Sequence, residues 1–331
     1  MKSIYKNHYF PHKVFIKNYT KNFKTKVLQE EVVVLNNPLI EGKTREIFLD
    51  GIKISIRNGK LNPPFSIDVE HDFPFLKIHF EIEGSSKYTP KNEKSIAVII
   101  PGGHYNFFFL PEVKGTLKYV NPIRKTLEIL FTKDYLKRIF GKSFKDECSE
   151  FGEALEKNEP FLMWKRSKPI STQLHIIIKE IINCKFDGGL KKAYLESKIT
   201  EILTIFFNDL KNKKNSLNYN DKLSEEDYLK ILYAETIVKK NIKDPPTISQ
   251  LSIITGVNKF KLKKNFKLIF GKPIFSYLTE VRMEKARKMI IEKDSTIAEA
   301  SYEVGYKNPQ HFTAAFKRMY NYLPSSLKKR N

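Results

Sequence analysis

The spacing of apolar positions changes character three times along the chain. From residue 44 to residue 131 it has period two. "REIFLDGIKISIRNG" and "FLKIHFEIEG" alternate, and "SIAVIIPGG", "YNFFFL" and "KTLEILF" are short apolar runs bounded by Gly and Pro. This predicts several short strands in an antiparallel sandwich or barrel, cupin-like in outline. From residue 133 to residue 210 the period turns helical. "TQLHIIIKEIINC" and "LKKAYLESKITEILTIFFNDL" are joined by the glycine turn "KFDGG". Leu190, Tyr194, Leu195, Ile199, Ile202, Leu203 and Phe206 fall on one stripe. A small barrel need not cover all of that stripe, so residues 172–210 are expected to form a homodimer; burial within the chain is the alternative. "KNKKNSLNYNDK", residues 211–222, has almost no apolar residue and reads as a linker. The remainder is helical to its end.

That last third contains a repeat. "TISQLSIITGV" at Thr247 matches "TIAEASYEVGY" at Thr296, and Gly256 returns as Gly305 at the same offset of 49. Beyond the glycine the offset is 50, so that Leu262, Phe266 and Phe270 correspond to Phe312, Phe316 and Tyr320. Each copy is a short helix, a glycine turn and a longer helix with an apolar i, i+4, i+8 seam, which is a helix-turn-helix. "KPIFSYLTEVRMEKARKMIIEKD" lies between them. Taken as one helix from Pro273 to Glu292 it is about 30 Å long, close to the ~34 Å between successive major grooves on one face of B-DNA.

Composition sharpens this picture. The formal net charge is +22 over 331 residues, which favours an acidic partner. The excess is spread out: residues 222–331 hold 22 Lys+Arg against 11 Asp+Glu, a net of +11, and the first 221 residues hold the other +11. Charge alone therefore does not establish nucleic-acid binding. The two cysteines, Cys148 and Cys184, provide neither a disulfide framework nor metal spacing. No apolar run approaches membrane-spanning length, and "MKSIYKNHYF" lacks a signal-peptide core. A soluble cytoplasmic protein with no membrane partner is expected.

Where the charge sits is more telling than its total. "NKFKLKKNFKLIFG" from Asn258 carries five lysines in fourteen positions. On a helix, Leu262, Phe266 and Phe270 share one face, whereas Phe260, Lys263, Lys264 and Lys267 share the opposite one. A solvated face on a core helix would account for an isolated case. As the second helix of a helix-turn-helix, however, this face points toward the major groove. Lys263 and Lys264 suit guanine O6/N7, and Phe260 suits a thymine methyl, unless it packs on a neighbouring helix. Lys259 and Lys267 suit phosphates. In the second copy Asn308 caps and Pro309 occupies the first turn. The outward face there is Gln310, Thr313, Ala314 and Lys317. Gln310 suits adenine, Thr313 and Ala314 a thymine methyl, and Lys317 and His311 phosphates.

These residues resemble the DNA-binding domain of AraC/XylS-type transcription regulators, through "TISQLSIITGVNKFKLKKNFKLIFGKP", "SYLTEVRMEKARKMI" and "TIAEASYEVGYKNPQHFTAAFKRMYNYLPSSLKKR". The resemblance implies two helix-turn-helix units bridged by a long helix. It also implies base contacts from Phe260, Lys263, Lys264, Gln310, Thr313 and Ala314. Lys263 and Lys264 depart from the Gln, Ser or Arg usual there, and Ala314 from a longer polar residue. The front two thirds fits that family's layout of a β-rich effector domain followed by dimerising helices. "INCKFDGGLKKAYLESKITEIL" and "HFEIEG" are similar to the pyochelin-type, siderophore-responsive branch, which implies a small hydrophobic effector such as an iron chelate. RNA polymerase is a further candidate partner, as for an activator.

The resulting expectation is an α+β chain: an effector domain at 1–132, a helical dimerisation segment at 133–212, a linker at 213–222, and an all-α double helix-turn-helix domain at 223–331. Phe107 and Phe109, with His79 and His104, are the candidates for an effector pocket; a plain core role is the alternative for the aromatics. No metal, cofactor or catalytic set is expected, since a close histidine pair and the G-x-S-x-G, Walker and dinucleotide signatures are missing. Two other functions compete: an architectural DNA-binding protein without effector, and a metal cupin enzyme with a DNA-binding appendage.

Overall fold

The computed structural model describes the chain except residues 9, 38, 63, 64, 120, 142–148, 214–222, 271, 293 and 328–331. Cys148, most of the expected linker and the basic C-terminal end lie outside the described residues. The chain divides into two compact units, Met1–Leu217 and Asn218–Asn331.

The front unit is built on two antiparallel sheets. The first has the order β2-β1-β6-β11-β8-β9, from β1 (Lys2–Asn7), β2 (Phe10–Asn18), β6 (Phe65–His71), β8 (Ser85–Pro90), β9 (Val98–Pro101) and β11 (Val113–Tyr119). The second has the order β13-β10-β7-β12-β5-β4-β3, from β3 (Gln29–Asn37), β4 (Ile40–Leu49), β5 (Ile52–Leu61), β7 (Phe75–Glu83), β10 (His104–Leu110), β12 (Ile123–Phe131) and β13 (Phe161–Leu162). β14 (Lys168–Pro169) also pairs with β10. Register follows the alternation. Ile47 faces Ile54, Ile54 faces Ile129 and Ile129 faces Ile78, so one apolar row crosses four strands of the second sheet.

That row does not face the first sheet. It is covered by α1 (Lys133–Phe140), α2 (Ser149–Lys157), α3 (Thr172–Ile182) and α4 (Gly188–Lys213). Tyr105 and Phe206 stack at 4.8 Å, and Phe107 meets Phe151 at 5.1 Å. The second sheet is therefore a middle layer covered on both faces. This explains why β10 is buried at every position, its polar His104 and Asn106 included. Leu195, Ile199, Ile202, Leu203 and Phe206 are fully buried in this core. The expected interfacial stripe on α4 is thus intramolecular from Leu195 to Phe206, because the middle sheet offers a broad apolar face that these helices cover together with Met163, Trp164 and Ile170, whereas Leu190 at its start is exposed. α4 also runs to Lys213, beyond the start expected for the linker at residue 211.

The rear unit is all helix: α5 (Glu225–Lys240), α6 (Ile248–Thr255), α7 (Lys259–Phe270), α8 (Ile274–Glu292), α9 (Ile297–Glu303) and α10 (Pro309–Tyr320), with a final 3-10 turn at Pro324–Leu327. It holds two cores that share one helix. Ile274 and Leu278 of α8 pack with Leu251, Leu262 and Phe266, while Met283, Ala286 and Ile290 of the same helix pack with Ala300, Phe312 and Phe316.

Candidate nucleic-acid interface

Both helix-turn-helix units are built with the same local devices. Thr247 and Gln250 form a capping box at the start of α6, and Thr296 and Glu299 form one at the start of α9. α6 ends on Gly256 in the left-handed region, at φ 64°. Gly305, at φ 85°, takes the matching place after α9, where a Cβ would lie 2.3 Å from the Lys243 carbonyl oxygen. The side chain of Asn258 accepts a bond from Lys261 N at 2.8 Å, and that of Asn308 one from Gln310 N at 2.8 Å. Arg282, midway along α8, donates to the carbonyls of Ile242 at 2.8 Å and Lys243 at 3.2 Å, and so ties the bridging helix to the loop before α6.

On α7, Leu262, Phe266, Ile269 and Phe270 are buried; Lys259, Phe260, Lys261, Lys263, Lys264 and Lys267 are exposed. Phe260 is 75% exposed, so packing on a neighbouring helix does not account for it. Lys261 lies 4.0 Å from Asp227. On α10, Phe312 and Phe316 are buried, and Gln310, His311, Ala314 and Lys317 are exposed. Thr313 is half-buried and donates its hydroxyl to the Pro309 carbonyl at 2.9 Å, which leaves its methyl and its oxygen lone pairs for any outside contact. Ile253 of α6, 81% exposed, and Tyr302 of α9, also exposed, were not singled out from the sequence. The repeat was the available signal, since they occupy the same position at the offset of 49.

The front unit holds a cavity of about 710 Å³ between its two sheets. Of the four residues expected to line an effector pocket, only His79 does so, with its Nε2 3.0 Å from Glu81. Phe107 and Phe109 face the helices instead, because strand alternation turns Phe108 and Leu110 toward the cavity. His104 is buried off the cavity wall, its Nδ1 2.9 Å from the Gly102 carbonyl oxygen. The described residues contain no group of three or more His, Cys, Asp or Glu arranged to hold a metal ion.

The cavity floor is charged. Glu128 is buried with Lys77 Nζ at 2.8 Å, Arg124 at 3.4 Å and Arg57 in closer contact. Burial alone would raise its pKa, but Arg57, Lys77, His79 and Arg124 hold the carboxyl well below the usual range. Glu46 binds Lys53 at 2.9 Å and Lys17 at 2.6 Å. Lys53 and Lys77 are pushed down by burial, only partly offset by Glu46 and Glu128 respectively. His71, beside them, is pushed to about 3 by burial and then by Lys77 and Lys53.

Comparison with known proteins places both units. Residues 251–330 match the family described as a helix-turn-helix domain, and residues 42–218 match the one described as the regulatory protein PchR N-terminal domain. An uncharacterised HTH-type transcriptional regulator in the cgkA 5′ region of Pseudoalteromonas carrageenovora is 34% identical over 92 residues, 28% of this chain and 54% of that one. The regulatory protein PchR of Pseudomonas aeruginosa is 25% identical over 131 residues, 40% of this chain and 44% of its own. The chain thus spans about half the length of these curated relatives. Among solved structures, ToxT from Vibrio cholerae is 14% identical over 91% of this chain and 97% of its own, with a TM-score of 0.30. An AraC-type regulator from Chromobacterium violaceum is 22% identical over 30% of this chain and 88% of its own, with a TM-score of 0.29. Because the PchR-type match alone runs over more than half of the sequence and the helix-turn-helix match follows it, the chain belongs to the AraC/XylS family of transcription regulators, in its PchR-type branch.

Proposed function

We propose that the protein regulates transcription by reading DNA sequence with α7 and α10 in two successive major grooves, under control of a small molecule bound in the front unit. The observation that carries this reading is the rear unit's duplication: two capped helix-turn-helix units on one shared 19-residue helix, each with an apolar inner seam and an exposed second helix. On α7, Lys263, Lys264 and Phe260 meet base edges while Lys259 and Lys267 hold phosphates. On α10, Gln310, Thr313 and Ala314 meet base edges while His311 and Lys317 hold phosphates. The cavity between the sheets favours effector control over a purely architectural role, since such a role needs no internal space. A homodimer remains part of the reading, but the expected stripe is spent inside the chain. Its surface must come from side chains still exposed on the helical segment, such as Ile176, Phe186 and Leu190. The effector acts only through different affinity for the DNA-competent and incompetent states.

The test is a fragment of residues 218–331, which carries both rear cores intact. It is expected to fold and to prefer the same DNA sequence as the full chain, with lower avidity and no response to effector. A fragment that is unfolded, or that binds all sequences alike, would overturn the division of labour between the units.

A further inference from the structure

The two helix-turn-helix units are joined by more than the helix they share. Their cores have no side chain in common among the described residues: Leu278 of α8 belongs to the first, and Met283 of the same helix to the second. If α8 were the whole connection, the spacing and angle of the two reading helices would be only as fixed as one helix can hold them, and long helices bend.

Arg282 stands at this change-over. Its half-buried guanidinium works in two directions. Nε donates to the Ile242 carbonyl at 2.8 Å and Nη2 to the Lys243 carbonyl at 3.2 Å. Ile242 is buried in the first core, so these bonds reach the first unit. The guanidinium carbon lies 5.5 Å from the centroid of the Tyr306 ring. Tyr306 follows Gly305 in the second unit and packs edge-on against Phe312 of the second core, at 5.7 Å. One side chain thus holds a backbone stretch of the first unit and an aromatic ring of the second.

The backbones meet at the same point. A Cβ on Gly305 would lie 2.3 Å from the Lys243 carbonyl oxygen, 2.9 Å from Lys243 Cα and 2.7 Å from Arg282 Nη2. Lys243 Nζ adds an exposed ion pair to Glu303 of α9 at 3.4 Å, worth little on its own. The Lys243–Gly305 contact runs beside α8 rather than along it. Two links in parallel resist twisting about the helix axis, which one link does not. A guanidinium suits the junction because it offers N–H groups in a rigid fork and a flat face for the ring, where an ammonium offers a point charge.

We propose that Arg282 is a positioning residue that locks the two units into one body and so fixes the number of base pairs the protein accepts between its two half-sites. This rests on the reading of two grooves by one chain. Each base pair added between the halves moves the second by about 3.4 Å along the duplex and roughly 35° around it. A locked pair of reading helices cannot follow that change; an unlocked pair follows by twisting α8.

Binding of the full chain to duplexes with one base pair inserted or removed between the halves of its preferred site tests this. The unmodified chain is expected to lose about tenfold or more at either altered spacing. Arg282→Met keeps an apolar stem and removes the donors. It is expected to bind the native spacing about tenfold more weakly, and all three spacings within about threefold of one another. Its salt dependence should match that of the unmodified chain, whereas loss of a phosphate contact would flatten it. Arg282→Lys is the milder second variant: it keeps the charge without the fork, and its spacing dependence should fall between the two. An Arg282→Met protein that folds and still rejects the altered spacings as strongly as the unmodified chain would overturn the inference and leave the two-groove reading intact. So would an Arg282→Lys protein indistinguishable from the unmodified chain, since charge alone would then suffice. An unmodified chain indifferent to spacing would overturn the two-groove reading, and the inference with it.

Discussion

Aspartate in place of Ile202 is expected to unfold the front unit, with no folded monomer recovered. Ile202 is fully buried on α4 in the core between the helices and the middle sheet. Removing its branched side chain costs on the order of 2–5 kcal/mol. The carboxylate must then either ionise without a partner or take up a proton in an apolar site, which adds a few kcal/mol more. The sum is comparable to the ~5–15 kcal/mol that holds a domain together. Near-ultraviolet circular dichroism should lose its fixed aromatic signal, because Phe206 and Tyr105 pack in the same core. Thr204→Asp is the control: Thr204 is on the same helix but exposed, so its melting temperature should stay close to that of the unmodified chain. A cooperatively melting, monomeric Ile202→Asp protein would mean that the stripe is interfacial after all.

Replacing Lys263 and Lys264 by alanine should each weaken the preferred DNA site by about 1–3 kcal/mol and relax preference at one base pair. Both side chains are exposed on the face of α7 opposite its buried seam. Neither substitution opens a cavity, and alanine suits a helix, so fold stability should change little. Lys267→Ala, one turn further along, should instead weaken all sequences alike and flatten the salt dependence by roughly one unit. Binding measured at several salt concentrations on specific and scrambled duplexes separates the two outcomes. If Lys263→Ala behaves as Lys267→Ala does, the division of α7 into reading and positioning residues is wrong.

The rear unit was legible in the sequence because its information is local. Thr247 and Thr296, Gly256 and Gly305, and the i, i+4, i+8 seams act within a few residues of themselves, and the duplication marks them. The middle sheet was legible from alternation, but the use of its two faces was not. Lys77, His79 and Glu81 alternate with Ile78 and Phe80 as a polar face, and alternation alone does not say what covers such a face. In the fold that face is covered by the first sheet, so Lys77 and His79 line the cavity floor and Glu81 is buried beside them. Strand pairing brings Glu128 opposite His79 and Ser55. Partners separated by 51 residues, such as Lys77 and Glu128, become visible only once register is known. The same ambiguity put Phe107 and Phe109 in the wrong layer by one residue of alternation. The strands before residue 44 escaped notice for a different reason. "EEVVVLNN" in β3 is exposed at nearly every position, being an edge strand, and carries no burial pattern to read.

The account's central claim is that one chain reads two successive major grooves through a shared helix. Hydroxyl-radical footprinting of the protein's own preferred site measures this directly. Two protected patches on one face of the duplex, centred about 10 base pairs apart, are predicted, with the stronger patch lost in the Lys263→Ala, Lys264→Ala double variant. A single patch, or protection spread evenly along the duplex without sequence preference, would contradict it.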